Sequence, residues 1–334
     1  MDASPVDLRA VSRSFGRVPA LQGVSILAPA GEITVLLGPN GAGKTTAIRI
    51  ITGALTADAG SVTVLGVDPS GPDGEDVRRR CGVVSAKPSL YDRLSGWDNL
   101  RYAAQLYGLG RGPATDQRLA SAAERFGIAP ALDQAVGGYS TGMKTRLALA
   151  RSILHEPDLL LLDEPTSGLD PESAAAVLDL VRTMATEGRT VLLCTHLLLE
   201  AEGLADQVVM MEQGSTVLSG RPAELAQRFW PEQTLSIRVT DGHHLDRLAT
   251  EPGVGDYTRT GTVARLTLTD PSVVPELVRQ LVIDGAAIEA VEPFTPSLED
   301  LYFAIRRREE HPMTAPPPPA AVDRVAPEPV GAGQ

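Results

Sequence analysis

Apolar residues along residues 1 to about 222 fall into two textures that take turns: short unbroken runs and stretches with helical spacing. EITVLLG (32–38), DLLLLDE (158–164) and TVLLCTH (190–196) are runs without polar alternation. Such runs, at strand length, belong to parallel strands covered on both faces. Lys44 to Leu55 follows the first run with helical spacing. Strand and helix in turn predict an α/β core. Between the runs, WDNLRYAAQLYG, RLASAAERFG and KTRLALARSILH carry helical periodicity, which predicts a helical subdomain at about 90–155 within that core.

The texture changes at Phe229 to Pro231. TLSIRVT (234–240) alternates, with Leu235, Ile237 and Val239 on one face. HHLDRLAT reads as a short helix, GDYTRT and TVARLTL as a hairpin around Gly261, SVVPELVRQLVIDG as an amphipathic helix and AIEAVEP as a strand. The order β-α-β-β-α-β predicts a small α+β, ferredoxin-like accessory domain over 223–310. Ser297 is placed to cap a last helix, LEDLYFAIRRRE. From His311 to Gln334 proline and alanine prevail without apolar period, and this tail is expected to be disordered.

Composition narrows the function classes. The 334 residues suit two domains, and 30 Lys and Arg against 42 Asp and Glu leave a net charge of −12. That balance opposes wrapping of nucleic acid, while leaving room for a local basic site. No run approaches the ~18 apolar residues of a membrane span. MDASPVDL lacks the features of a signal peptide, so a cytosolic chain, free or docked on a partner, is expected. Cys81 and Cys194 fit no metal or redox spacing and read as small buried residues.

The chemistry concentrates in a few segments. GPNGAGKTT (38–46) is a phosphate-binding P-loop between a strand and a helix. Gly38, Pro39, Asn40, Gly41, Ala42 and Gly43 let the backbone curl so that its N–H groups surround a phosphate at a helix N-terminus. Lys44 can reach the β- and γ-phosphates of a nucleotide, with Thr46 beside it, and the Thr45 hydroxyl can ligate Mg²⁺. In LLLLDEP, Asp163 is suited to holding that metal and Glu164 to orienting or deprotonating an attacking water. Ser140 and Gly142 precede a long helical pattern, either as an anion site or as an ordinary helix cap. Asp170 lies in SGLD, and His196 ends the next strand, where a lone histidine is as compatible with a structural role.

Together these residues resemble the ABC transporter ATPases over residues 1 to about 222. The resemblance implies that YSTGM (Tyr139 to Met143) stands for the family signature, with Ser140 and Gly142 kept. It implies a head-to-tail dimer of two copies enclosing two ATP molecules with Mg²⁺. Glu164 would be the catalytic base, His196 the residue holding the γ-phosphate, and Asp170 part of the D-loop. Phe15 sits where the family places an aromatic on adenine; a core phenylalanine is the alternative. Lys144 reads as solvent-facing.

The family's Q-loop glutamine falls on Ala86, followed by Lys87, so either water fills that role or Lys87 meets phosphate or a partner. PSLEDLYFAIRRRE (296–309) resembles the close of the daunorubicin and multidrug exporter ATPases. That implies a separate polytopic permease, with this chain peripheral on the inner face of the cell membrane. His243 and His244 lack the acid or cysteine spacing of a metal site. The alternatives are a soluble ABC ATPase without a permease and a weakly hydrolysing regulator.

Overall fold

The three unbroken runs meet at the centre of one sheet. In the computed structural model, which describes residues 4–229, 233–294 and 296–303, a first compact unit spans Met1–Pro222. It begins β1 (Val6–Phe15), β2 (Val18–Ala28), β3 (Ile33–Leu37), α1 (Lys44–Ile51), β4 (Ala59–Val64), α2 (Gly74–Arg79) and β5 (Cys81–Val84). It continues α3 (Gly96–Leu106), α4 (Pro113–Arg125), α5 (Thr141–Ser152), β6 (Leu159–Asp163), α6 (Pro171–Thr186), β7 (Thr190–Thr195), α7 (Leu198–Glu202), β8 (Gln207–Glu212) and β9 (Ser215–Gly220).

The main sheet has the order β5-β6-β7-β3-β8-β9, parallel except for the last pair. Every residue of β3, β6 and β7 is buried, as a strand covered on both faces requires. A second, antiparallel sheet, β2-β1-β4, has no counterpart among the unbroken runs. Its signal is alternation: Val24, Ile26 and Ala28 of β2 are buried and their neighbours exposed. These residues share one apolar core with Leu36, Ala47, Ile51 and Leu161.

Helix α1 stops earlier than its spacing predicts. Gly53 takes φ +68°, a left-handed turn that ends a helix at low cost for glycine alone. A Cβ there would lie 2.1 Å from the Pro69 carbonyl oxygen. The expected helical segment resolves into α3, α4 and α5, with sharp starts. Ser95 accepts from the Asp98 N–H at the head of α3, and Pro113 opens α4. Ser140 caps α5.

The second unit, Ala223–Gln334, holds nearly all of α8 (Pro222–Phe229), then β10 (Gln233–Val239), β11 (Val254–Thr260), β12 (Val263–Leu268), α9 (Val274–Ile283) and β13 (Ile288–Pro293). Its strands pair antiparallel in the order β11-β12-β10-β13, the ferredoxin-like arrangement. Leu235, Ile237 and Val239 face a core shared with Leu266, Leu277 and Leu281. HHLDRLAT forms a 3₁₀ helix (Gly242–Thr250) in place of the expected short α-helix. Ser297 accepts from the Asp300 N–H, and residues 298–303 are helical. The rest of that expected helix and the tail at 311–334 lie outside the described residues.

Leu161, wholly buried in β6, tests how much of the fold rests on the central strands. Leu161→Ala is expected to cost about 2–5 kcal/mol, whereas Leu106→Ala, at a side chain 70% exposed, should stay within about 0.5 kcal/mol. Urea unfolding midpoints of the two variants check both values.

Candidate functional site

Parallel register sets the C-terminal ends of β3, β6 and β7 level with one another. Leu37 pairs with Thr195, and Asp163 with Cys194. The ladder then runs one residue past the strands: Gly38 N–H donates to the Thr195 carbonyl (3.3 Å) and Glu164 N–H to the Cys194 carbonyl (2.9 Å). The P-loop, the acidic pair and His196 therefore emerge side by side at the edge where open α/β sheets bind ligands.

Glycine is required at two points of the loop. A Cβ on Gly38 would lie 2.2 Å from the Met211 carbonyl oxygen. Gly43, at φ +103°, would place one 2.7 Å from the Ala20 carbonyl oxygen. Ala42 is buried behind the loop, while Pro39, Asn40 and Gly41 stand exposed on its rim. Thr46 is half-buried at the head of α1.

Five of the expected residues touch one another. Lys44 is only 5% exposed. Its Nζ donates to the carbonyls of Gly38 (2.6 Å) and Pro39 (3.2 Å) and lies 3.4 Å from Glu164 Oε1. Thr45 Oγ1 donates to Asp163 Oδ2 at 2.8 Å. His196 Nδ1 lies 2.8 Å from Glu164 Oε2, as a ring N–H donating to a carboxylate does. Glu164 itself takes φ +51°, left-handed and unusual for a side chain of its length. Burial pushes the Asp163 carboxyl above its usual range, more than the Thr45 bond pulls it down, and the Glu164 charge adds to the rise.

Thr45 and Asp163 together present hard oxygen donors side by side, the donor type that Mg²⁺ prefers. Phosphate oxygens and waters would have to complete its octahedron. Among the described residues there is no group of three or more His, Cys, Asp or Glu placed to hold a metal, at His243 and His244 or elsewhere.

The other expected residues stand apart from this group. Ser140 accepts from Met143 N–H (3.2 Å) as cap of α5, and Asp170 accepts from Ser173 N–H (2.9 Å) as cap of α6. Gly142 faces the same turn, its virtual Cβ 3.6 Å from Ser173 Oγ. Phe15 is 46% exposed beside the β1–β2 turn, so it is no core residue; the Arg13 guanidinium lies 5.4 Å from its ring centre.

Lys144 is 30% exposed, and its ammonium pairs with the more exposed Asp92 at 2.9 Å, a surface ion pair across the helical segment. Sequence spacing held no sign of that partner, 52 positions away. Ala86 is exposed. Both cysteines are buried and free, and burial pushes the Cys81 thiol up to about 12 and the Cys194 thiol well above its usual value.

A carboxyl held above its usual value favours the fold in its protonated form. Asp163 thus becomes a burden as pH rises through its raised value. Asp163→Asn removes the buried charge and keeps an acceptor for Thr45. The nucleotide-free variant is expected to melt above the wild type at pH 7, and the gain should shrink toward pH 3. Thermal melts at the two pH values decide it.

Comparison with known proteins places this geometry in a family. The ABC transporter family matches residues 21–167. The Nod factor export ATP-binding protein I of Rhizobium meliloti (strain 1021) is 34% identical over 304 residues, covering 91% of this chain and 88% of its own length. The daunorubicin resistance ATP-binding protein DrrA2 of Streptomyces coeruleorubidus is 33% identical over 311 residues, covering 91% and 96%. A solved structure described as the ATP-binding subunit of an ABC transporter superposes with a TM-score of 0.62 at 29% identity, over 68% of this chain and 93% of its own. With likeness running along nearly the whole length, and a P-loop facing an acidic pair and a histidine, the chain belongs to the ATP-binding proteins of the ABC transporter family.

Proposed function

We propose that this chain is the ATP-hydrolysing subunit of an exporter, driving a separate membrane permease by closing as a pair of copies around two ATP molecules. The observation that carries the hydrolytic reading is the contact of Glu164 with both Lys44 (3.4 Å) and His196 (2.8 Å) at the mouth of the P-loop. Arriving phosphates offer Lys44 a stronger partner than the Gly38 and Pro39 carbonyls, because an ammonium prefers an anion to a neutral acceptor. As Lys44 turns to the β- and γ-phosphates, Glu164 Oε1 is released to accept a proton from water. His196 keeps the other carboxylate oxygen in place. Thr45 and Asp163 would hold Mg²⁺, which neutralises phosphate charge when bound.

The remaining residues fit roles at a dimer contact. Ser140 Oγ spends an acceptor site on its cap, so its O–H stays free to donate to a phosphate of the partner copy. Gly142 leaves that approach open, and Asp170 stands at the head of the neighbouring helix. The exposed ring of Phe15 offers adenine a stacking face.

The permease would meet the helical segment. Tyr91, Leu94, Tyr102 and Leu106 are all exposed there, and the rings of Tyr91 and Tyr102 meet edge to face at 5.0 Å. Apolar side chains gathered on a surface mark a protein contact. Among the described residues no helix is long and apolar enough to cross a membrane, which fits a subunit peripheral on the inner face. The names of the relatives, one for export of Nod factors and one for daunorubicin resistance, support the export reading.

Glu164→Gln is expected to bind ATP, to lower phosphate release about 10²–10⁴-fold, and to run as an ATP-dependent dimer in light scattering; unchanged turnover removes Glu164 as the base. A second test addresses export. The wild-type chain should recover a polytopic protein from detergent-extracted native membranes, and Tyr102→Asp with Leu106→Asp should lose it while the isolated chain keeps its ATPase rate. Recovery of ribosomes or nucleic acid instead would sink the exporter reading.

A further inference from the structure

Glu164 has a second neighbour besides the P-loop. A cavity of about 230 Å³ opens beside it, walled by the 84–88 segment, the first turns of α5 and the residues that follow β6. Ala86, Lys87, Thr141, Lys144, Thr145 and Glu164 are among the residues that line it. Bulk water occupies ~30 Å³ per molecule, so there is room for a tetrahedral oxyanion with some of its hydration. Nucleotide-sized ligands need a larger pocket, typically ~300 Å³ or more.

The chemistry of the walls suits an anion. Thr145 is only 5% exposed and lines the cavity, and its hydroxyl, which makes no hydrogen bond to a described residue, is left to meet what enters there. Thr141 begins α5, a helix of 12 residues, and the N–H groups of its first turn carry the positive end of the helix dipole. Lys87 is exposed on the rim and has no carboxylate partner among the described residues. Lys144 shares its charge with Asp92. The one carboxylate in the wall, Glu164, is engaged by Lys44 and His196 in the nucleotide-free chain, and keeps His196 when Lys44 turns to a nucleotide phosphate. That residual negative charge makes the site one for brief occupancy rather than storage.

We propose that this cavity is a second anion site, which takes the inorganic phosphate product as it leaves Glu164, with Thr145 and Lys87 as its ligands. The proposal rests on the hydrolytic reading above. With ADP still on the P-loop, the freed phosphate cannot retreat through the nucleotide, and Glu164 borders both spaces. The methyl group of Ala86 keeps the wall open, so a longer side chain at that position would fill the cavity.

Equilibrium dialysis of labelled inorganic phosphate against the full chain, with and without saturating Mg·ADP, tests this. The wild type should hold one phosphate per chain in the presence of ADP. Lys87→Ala and Thr145→Val should each weaken it at least five-fold, Lys87→Arg should retain it, and Ala86→Gln should weaken it, all with unchanged ADP affinity. Lys87 is exposed, so its variants fold regardless of what Thr145→Val does to the core. No phosphate bound beside ADP overturns the proposal, as does binding indifferent to Lys87→Ala and Ala86→Gln, which would place the ion at the γ position. Phosphate bound with these sensitivities by a chain that takes no ADP would sink the hydrolytic reading and leave the anion site standing.

Discussion

Everything in the ATP site hangs on the in-register parallel pairing of β6, β7 and β3. The pairing continues past the strands as two backbone hydrogen bonds, Gly38 to Thr195 and Glu164 to Cys194. These fix where the P-loop and Glu164 begin, before any side chain is considered. A strand slipped by one residue would turn every side chain to the opposite face, and Asp163 would no longer meet Thr45. The wholly buried leucines of β6 and β7 therefore act on chemistry through geometry: their packing penalises any other register.

A buried ammonium has to be solvated by the protein. Around Lys44 that work falls to two carbonyls of its own loop, at 2.6 and 3.2 Å, and to Glu164. The loop can turn those carbonyls inward because its glycines tolerate backbone approaches closed to other residues, Gly38 against Met211 and Gly43 against Ala20. Further along the chain, Tyr139 anchors the segment before α5 by donating from its buried hydroxyl to the Ala131 carbonyl at 2.6 Å. Helix α5 thus starts at a defined place, with Ser140 at its head.

Much of this was legible in the sequence because it is local. Unbroken apolar runs announce covered strands, and a glycine-rich loop followed by Lys-Thr announces its phosphate chemistry through spacing alone. Even the accessory unit showed its strand order in its succession of patterns, although HHLDRLAT settled as a 3₁₀ helix after Asp241 took the cap. What stayed hidden is set across space. The β2-β1-β4 sheet depends on bulges that interrupt its alternation. The Lys144–Asp92 pair joins distant positions, and the cavity beside Glu164 is bounded by three separate segments. Nor does any local pattern tell that Glu164 adopts a left-handed backbone.

Lys44, Glu164 and His196 satisfy one another, and Thr45 and Asp163 do the same. Loss of Glu164 takes the carboxylate from the buried Lys44, and loss of Thr45 takes the hydroxyl donor from the buried Asp163, so the cost of a substitution depends on which others are still present. Exposed positions such as Ala86 and Phe15 carry no such tie. A substitution at the rim of the site therefore leaves the ion pairs at its centre intact, whereas one at the centre is felt at once by its neighbour.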